Sequence, residues 1–339
     1  MQIIRFLAVS IVTLLLAPTL LFAATLEAVQ KRGWLSCGVS LGLPGFSSVD
    51  NKGRWTGIDA DFCRAVAAVV LKDPEKVRYT PLSSKVRFTA LQSREIDLLS
   101  RNTTWSQTWD TALGLNFVGV MYYDGQGVMV RKTLGLKSAR ELDGAAVCIN
   151  AGTTTELNLA DFFRTNGMRY TPVVYEKSDE VVAAYAAKRC DVYSTDKSGL
   201  YAQRLKLPDP GAHVILPEIL SKEPLGPVVR QGDDGWFNIV RWTLFAIVAA
   251  EELGITSKNV GTLQESTSDP RIKRFVGLEG KAGANLGVDA KWAARAIEAV
   301  GNYGELFERH LGADSRLKID RGLNRLWSKG GLHYAPPIR

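Results

Sequence analysis

Gly152-Thr153-Thr154-Thr155 stands between an apolar run at 145–149 and a stretch with apolar residues at Leu157, Ala160 and Phe163. The first run has the length of a buried strand, and the second has the spacing of one helix face. Glycine takes the turn between them without a Cβ penalty. A helix that starts on hydroxyl residues at a strand's carboxyl end presents free backbone N–H groups and a partial positive charge there. Such a corner holds one carboxylate, although the threonines would equally serve as ordinary N-caps. The acidic complement is Asp196, which ends the run Asp191-Val-Tyr-Ser-Thr195. It suits an ammonium group or, more plainly, a cap before Lys197-Ser-Gly199. A zwitterion fits between the two sites, with charge-assisted bonds worth roughly 1.5–3 kcal/mol each.

Catalysis is poorly provided for. An enzyme needs a placed acid, base or nucleophile. His213, His310 and His333 fall in segments that read as loop, helix end and tail. There is no nucleophile elbow, zinc-protease helix, phosphate loop or dinucleotide glycine pattern, and no Cys/His spacing of a metal site. We therefore expect a binding protein without catalytic residue, cofactor or metal.

The elements that position these residues alternate. Residues 34–40 read as a strand, closed by a turn over 42–45. Asn51-Lys52-Gly53 reads as a hairpin turn, and Asp59 or Asp61 caps a helix running to Lys72. Two strands, 77–80 and 95–100, enclose a helix over 86–93, which implies an α/β fold with mainly parallel sheets. The unit then recurs. Ala90-Leu-Gln-Ser-Arg-Glu-Ile-Asp97-Leu-Leu-Ser100-Arg-Asn102 lies in register with Ala184-Tyr-Ala-Ala-Lys-Arg-Cys-Asp191-Val-Tyr-Ser194-Thr-Asp196. Asn102 falls opposite Asp196, with Thr103 and Thr104 beside it. Two lobes of similar build are expected, one from 25–123 with 225–339 and the other from 124–224. Gly- and Pro-rich crossings near 122–128 and 214–227 would serve as hinges. Ligands of open α/β sheets sit outside the carboxyl ends of strands, here in the cleft between lobes.

Residues 1–24 follow the pattern of a signal peptide, with Arg5, an apolar run broken by Pro18, and Ala23-Ala24 near the cut. The most apolar later run, 239–250, is interrupted by Arg241 and ends at Glu251-Glu252, short of the ~20 residues a membrane span needs. The 339-residue chain is too long for one core. Its 42 basic residues are interspersed with 35 acidic ones, a pattern of a solvated surface and not of nucleic-acid binding. Export makes the four cysteines disulfide candidates. Three pairings are open. Cys37 with Cys63 and Cys148 with Cys190 are favoured, because each then joins a strand to a neighbouring element of one lobe.

Several stretches together carry a resemblance. Gly152-Thr-Thr-Thr-Glu156, the Ala90–Asp97 and Cys190–Asp196 segments and Arg54-Trp-Thr-Gly-Ile-Asp59 resemble the periplasmic polar-amino-acid-binding proteins of ABC transporters. Ser100-Arg-Asn-Thr-Thr-Trp105, Tyr122-Tyr-Asp-Gly-Gln-Gly127, Lys222-Glu-Pro-Leu-Gly226 and Gly301-Asn-Tyr-Gly-Glu305 are similar to the general L-amino-acid branch, over essentially the whole mature chain. The resemblance implies a two-lobed, Venus-flytrap fold. Such a protein is a periplasmic monomer that closes on an L-amino acid and delivers it to a permease and ATPase of the inner membrane. By the same resemblance Asp196 binds the ligand's amine. Gly152, Thr153 and Thr154 take its carboxylate with Thr155 beside them, and Arg101, Asn102 and Thr104 bond it from the first lobe. Leu43 and Ser84 stand where narrower relatives place aromatic walls, which implies a roomy pocket.

One position departs from the pattern. In Ser106-Gln-Thr-Trp109-Asp110, Trp109 replaces the arginine that usually clamps the ligand carboxylate. Losing such a clamp costs about 2–4 kcal/mol unless it is replaced. Three other readings follow: a binder of a non-standard or cationic solute stacked on the indole, a periplasmic dehydratase with an acid or base in the cleft, and a sensor that docks on a receptor.

Overall fold

The structure, a computed structural model, describes residues 24–339. The expected signal peptide therefore lies outside the described residues, apart from Ala24. Thirteen strands run in chain order: β1 (Leu35–Ser40), β2 (Ser48–Val49), β3 (Trp55–Thr56), β4 (Val77–Leu82), β5 (Leu98–Leu99), β6 (Leu115–Phe117), β7 (Tyr122–Arg131), β8 (Ala145–Asn150), β9 (Tyr170–Tyr175), β10 (Val192–Asp196), β11 (His213–Ile215), β12 (Lys222–Leu225) and β13 (Val228–Arg230).

Two large sheets result, each at the centre of a lobe, and β2 pairs with β3 in a separate antiparallel hairpin. The first has the order β4-β1-β5-β13-β6 and the second β11-β7-β10-β8-β9, with β12 on β7. Strands β4, β1 and β5 are mutually parallel, as are β9, β8 and β10. These are the strands linked by crossover helices. The remaining pairings are antiparallel, so the sheets are mixed where the sequence predicts mainly parallel ones. The physical reason is that β6, β7, β12 and β13 belong to the segments that pass between lobes and enter each sheet from the opposite end.

The chain leaves the first sheet through 118–121 and returns through 226–227. The outward passage lies just before the expected 122–128, whose glycines fall inside β7. The return occupies only the end of the expected 214–227. The two passages bind each other, Val118 N–H donating to Pro227 O (3.1 Å) and Met121 N–H to Leu225 O (2.8 Å). At Gly226 they touch, and a Cβ there would lie 2.0 Å from Gly119 O. The C-terminal tail braces this region. Asn324 accepts from Tyr123 N–H (2.7 Å) and donates to Tyr123 O (3.1 Å).

The first lobe's core forms around the helix Ile58–Leu71, which is apolar on every side apart from its N-terminal acids and Arg64. A helix of that kind is stable only when covered all round. It is enclosed by β1 and by the helices Asp234–Glu252 and Trp292–Val300, with Phe62, Trp236, Trp292 and Phe307 fully buried. The second sheet sorts its side chains by the two-residue period of a strand. Val128 and Val130 pack with Val147, Ile149 and Phe163 on one face, while Met129 packs with Cys148, Tyr185 and Tyr193 on the other.

The internal repeat is structural. Asp97 N–H donates to Ser36 O at 2.8 Å while its carboxylate accepts from Ser36 N–H at 2.8 Å. Asp191 does the same with Ala146, at 2.8 and 3.0 Å. Arg94 and Lys188, three residues before each Asp in the two matched units, both take left-handed backbone. The sheet triplets β4-β1-β5 and β9-β8-β10 are thus two copies of one arrangement.

Both favoured disulfides form, Cys37–Cys63 and Cys148–Cys190. The second closes a 42-residue separation, for which loop entropy predicts about 4 kcal/mol of stabilisation. A Cys148→Ser/Cys190→Ser variant is expected to lose that amount in urea denaturation followed by circular dichroism. An unmoved midpoint would show the bond to be thermodynamically idle.

Candidate functional site

The carboxyl ends of β1, β4, β5, β8 and β10 converge from both lobes on one cleft, the kind of place where small-ligand sites form. The structure brings together there Leu43, Ser84, Arg101, Asn102, Thr104, Trp109, Thr153, Thr154, Thr155 and Asp196. Gly152 is the exception among the expected residues. Its turn (φ +71°) faces the neighbouring lobe, where a Cβ would stand 3.2 Å from Lys85 Cα. It allows the lobes to approach and does not line the cleft.

Both plain capping readings fail on geometry. The helix Thr154–Thr165 has no side-chain cap, because Thr153 Oγ1 donates instead to Asn150 O at 2.8 Å. Its first-turn N–H groups remain available to an anion. The helix Lys197–Arg204 likewise takes no cap bond from Asp196. The Asp196 carboxylate instead lines the cleft and accepts from Asn102 Nδ2 at 3.2 Å. Asn102, from the first lobe, is shaped for this contact. Its backbone takes φ +30°, and its N–H donates to buried Asp59 at 2.8 Å.

Burial dominates the electrostatics. Asp196 is held well above the ordinary carboxyl range by burial, with Asp124 and Glu223 adding repulsion. Asp59 is raised to about 7 by burial, against the bonds from Asn102 and Ser100. Asp124 is raised to about 6 by burial, although the Ser198 hydroxyl and amides of Gly125 and Ser198 stabilise its charge.

Glu223 on β12 ties the cleft's two sides together. Its Oε2 accepts from Thr104 Oγ1 (2.5 Å) and Thr154 Oγ1 (2.9 Å), and its Oε1 from Asn158 Nδ2 (2.7 Å). The lobes also meet where Ser83 Oγ donates to Glu176 at 3.0 Å. Arg101 is fixed in place, its Nε donating to Leu82 O and its Nη2 to Ser84 Oγ, at 2.9 and 3.0 Å.

Sequence reasoning missed Glu223, Arg87 and the helix Gln107–Ala112 that carries Trp109. Arg87 lies in the first turn after β4, another carboxyl end of a parallel strand, so the rule that found Asp196 also reaches it. Trp109 does not fill the cleft, because its ring packs edge-to-face on Phe88 at 5.1 Å. Among the described residues, Asp196 is the sole carboxyl group lining the cleft, and no histidine lines it. Among the described residues no cluster of His, Cys, Asp or Glu could hold a metal ion, and no helix is long and apolar enough to cross a membrane.

The model of the bacterial extracellular solute-binding proteins, family 3, matches residues 35–261. A general L-amino acid-binding periplasmic protein of Rhizobium johnstonii, AapJ, is 61% identical over 94% of this chain and 93% of its own. A glutamate/glutamine/aspartate/asparagine-binding protein of Rhodobacter capsulatus, BztA, is 55% identical over 94% of each. An ABC transporter periplasmic binding protein from Brucella ovis, solved with glutathione bound, superposes with a TM-score of 0.92 at 55% identity, covering 94% of this chain and all of that one.

Proposed function

Because the chain belongs to the bacterial extracellular solute-binding proteins of family 3, we propose that it captures L-amino acids by lobe closure and hands them to an ABC permease and its ATPase. The observation that carries the reading is the pairing of an uncapped helix start at Thr154 with the Asp196 carboxylate in one cleft between lobes. Asp196 receives the ammonium group. The amides and hydroxyls of Thr153, Thr154 and Thr155 receive the carboxylate, and Arg101, Asn102 and Thr104 close over the ligand from the first lobe. Leu43 and Ser84 leave room for varied side chains.

The working form is a periplasmic monomer, freed of residues 1–24, with lobes 25–123 plus 225–339 and 124–224. A thermal-shift screen over the standard L-amino acids tests the reading. A ligand at about a hundred times its Kd adds roughly 2.7 kcal/mol of stability, and a melting point that no amino acid raises would refute it.

The protonation of Asp196 adds a pH signature. Its carboxyl holds a proton more readily than usual, and that proton must leave before an ammonium group docks. Where Asp196 holds that proton in the open cleft, binding releases it, and affinity falls as the pH drops. Calorimetry in two buffers of different ionisation heat, repeated at falling pH, measures the release, and an affinity that does not fall with pH would contradict the role given to Asp196.

A further inference from the structure

Arg87 is 3% exposed, lines the cleft, and has no hydrogen bond or ion pair to any described residue, its Nε being buried without a partner. What holds it is two aromatic faces. Its guanidinium carbon stands 4.9 Å from the Trp109 ring centroid and 4.6 Å from that of Phe88. Arginines that serve only the fold find carbonyl oxygens, as Arg230 does with Leu91 and Ile96 at 3.0 and 2.7 Å. A buried guanidinium without an acceptor is costly, and the charge that relieves it is an acid group in the cleft.

The charge count points the same way. The cleft offers three receptors for anions, the uncapped turn at Thr154 and the guanidinium groups of Arg87 and Arg101, but one acid, Asp196, and of the two arginines Arg101 already donates to Leu82 O and Ser84 Oγ. A neutral zwitterion satisfies Asp196 and the helix turn and leaves Arg87 unpaired. We propose that Arg87, held against Trp109, is the receptor for a second acid group, so that the cleft prefers amino acids whose side chain ends in a carboxylate. This rests on the amino-acid reading above and adds a substrate class to it. Trp109 then has a positioning role in place of the missing clamp. An arginine at 109 would crowd Arg87 with like charge. The indole face steadies the guanidinium and leaves its edge free for a bidentate bond.

L-Glutamate and L-glutamine have nearly the same shape and differ by one charge, so their affinity ratio in calorimetry reads the subsite directly. The native protein is expected to bind glutamate more tightly by about 10–100-fold. Arg87→Gln collapses the ratio towards one, because glutamate binding falls. Trp109→Ala reduces it, and Trp109→Phe restores most of it. Should Arg87→Gln fail to fold, Arg87→Lys, which keeps the charge without the planar fork, is expected to lower the ratio without abolishing it. Equal weakening of both ligands by Arg87→Gln, or equal affinities in the native protein, would overturn this proposal alone. A native protein that binds no amino acid would remove the reading beneath it as well.

Discussion

Asp196→Asn is expected to weaken L-amino acid binding by roughly 30- to 1000-fold, the equivalent of about 2–4 kcal/mol. The ammonium group of a bound amino acid would lose its one buried carboxylate and meet a neutral amide. The same change should leave the ligand-free protein as stable as before, or more so. The buried acid is disfavoured in its charged form by burial and by Asp124 and Glu223, and an amide oxygen still accepts from Asn102 Nδ2. Loss of binding with an undiminished melting point would mark Asp196 as a group kept for its ligand. A Kd within about threefold of the native value would mean that the amine sits elsewhere.

Gly226→Ala is expected to be among the most destabilising single changes, at about 3 kcal/mol, seen as a melting point lower by roughly 5–10 °C. The added carbon would fall 2.0 Å from Gly119 O. That neighbour is backbone, so no rotamer change relieves the clash, and the two passages between lobes must part. Their mutual hydrogen bonds, Val118 to Pro227 and Met121 to Leu225, would be strained together. Gly261→Ala is the control, since a Cβ there meets nothing within 4 Å inside a helix. If both variants melt alike, the contact between the passages is not constraining.

What was legible in the sequence was local and periodic. The helix Ile58–Leu71 shows as an unbroken apolar run behind Asp59 and Asp61. The repeat shows because Asp97 and Asp191 each close the same two-bond link to a neighbouring parallel strand. The strand-end rule then leads to Asp196 and to the threonines after Gly152. Glu223 was illegible because it meets Thr104 and Thr154 across 119 and 69 residues of chain, and no local pattern marks a buried acid in a passage between lobes. Arg87 reads as a surface residue on a short helix until tertiary packing buries it under two rings. Strand direction was hidden in the same way, since β13 is antiparallel only by virtue of the route by which the chain returns.

The two copies of the repeated unit meet at their matched positions, Asn102 Nδ2 on Asp196 Oδ2. A duplicated half facing its twin would present the same chemistry to both ends of a captured molecule and could not tell head from tail. The difference of a single functional group, amide in one copy and acid in the other, breaks that dyad at its axis. On the proposed reading, a guest in this cleft would take one orientation, set by which of the twins kept the acid.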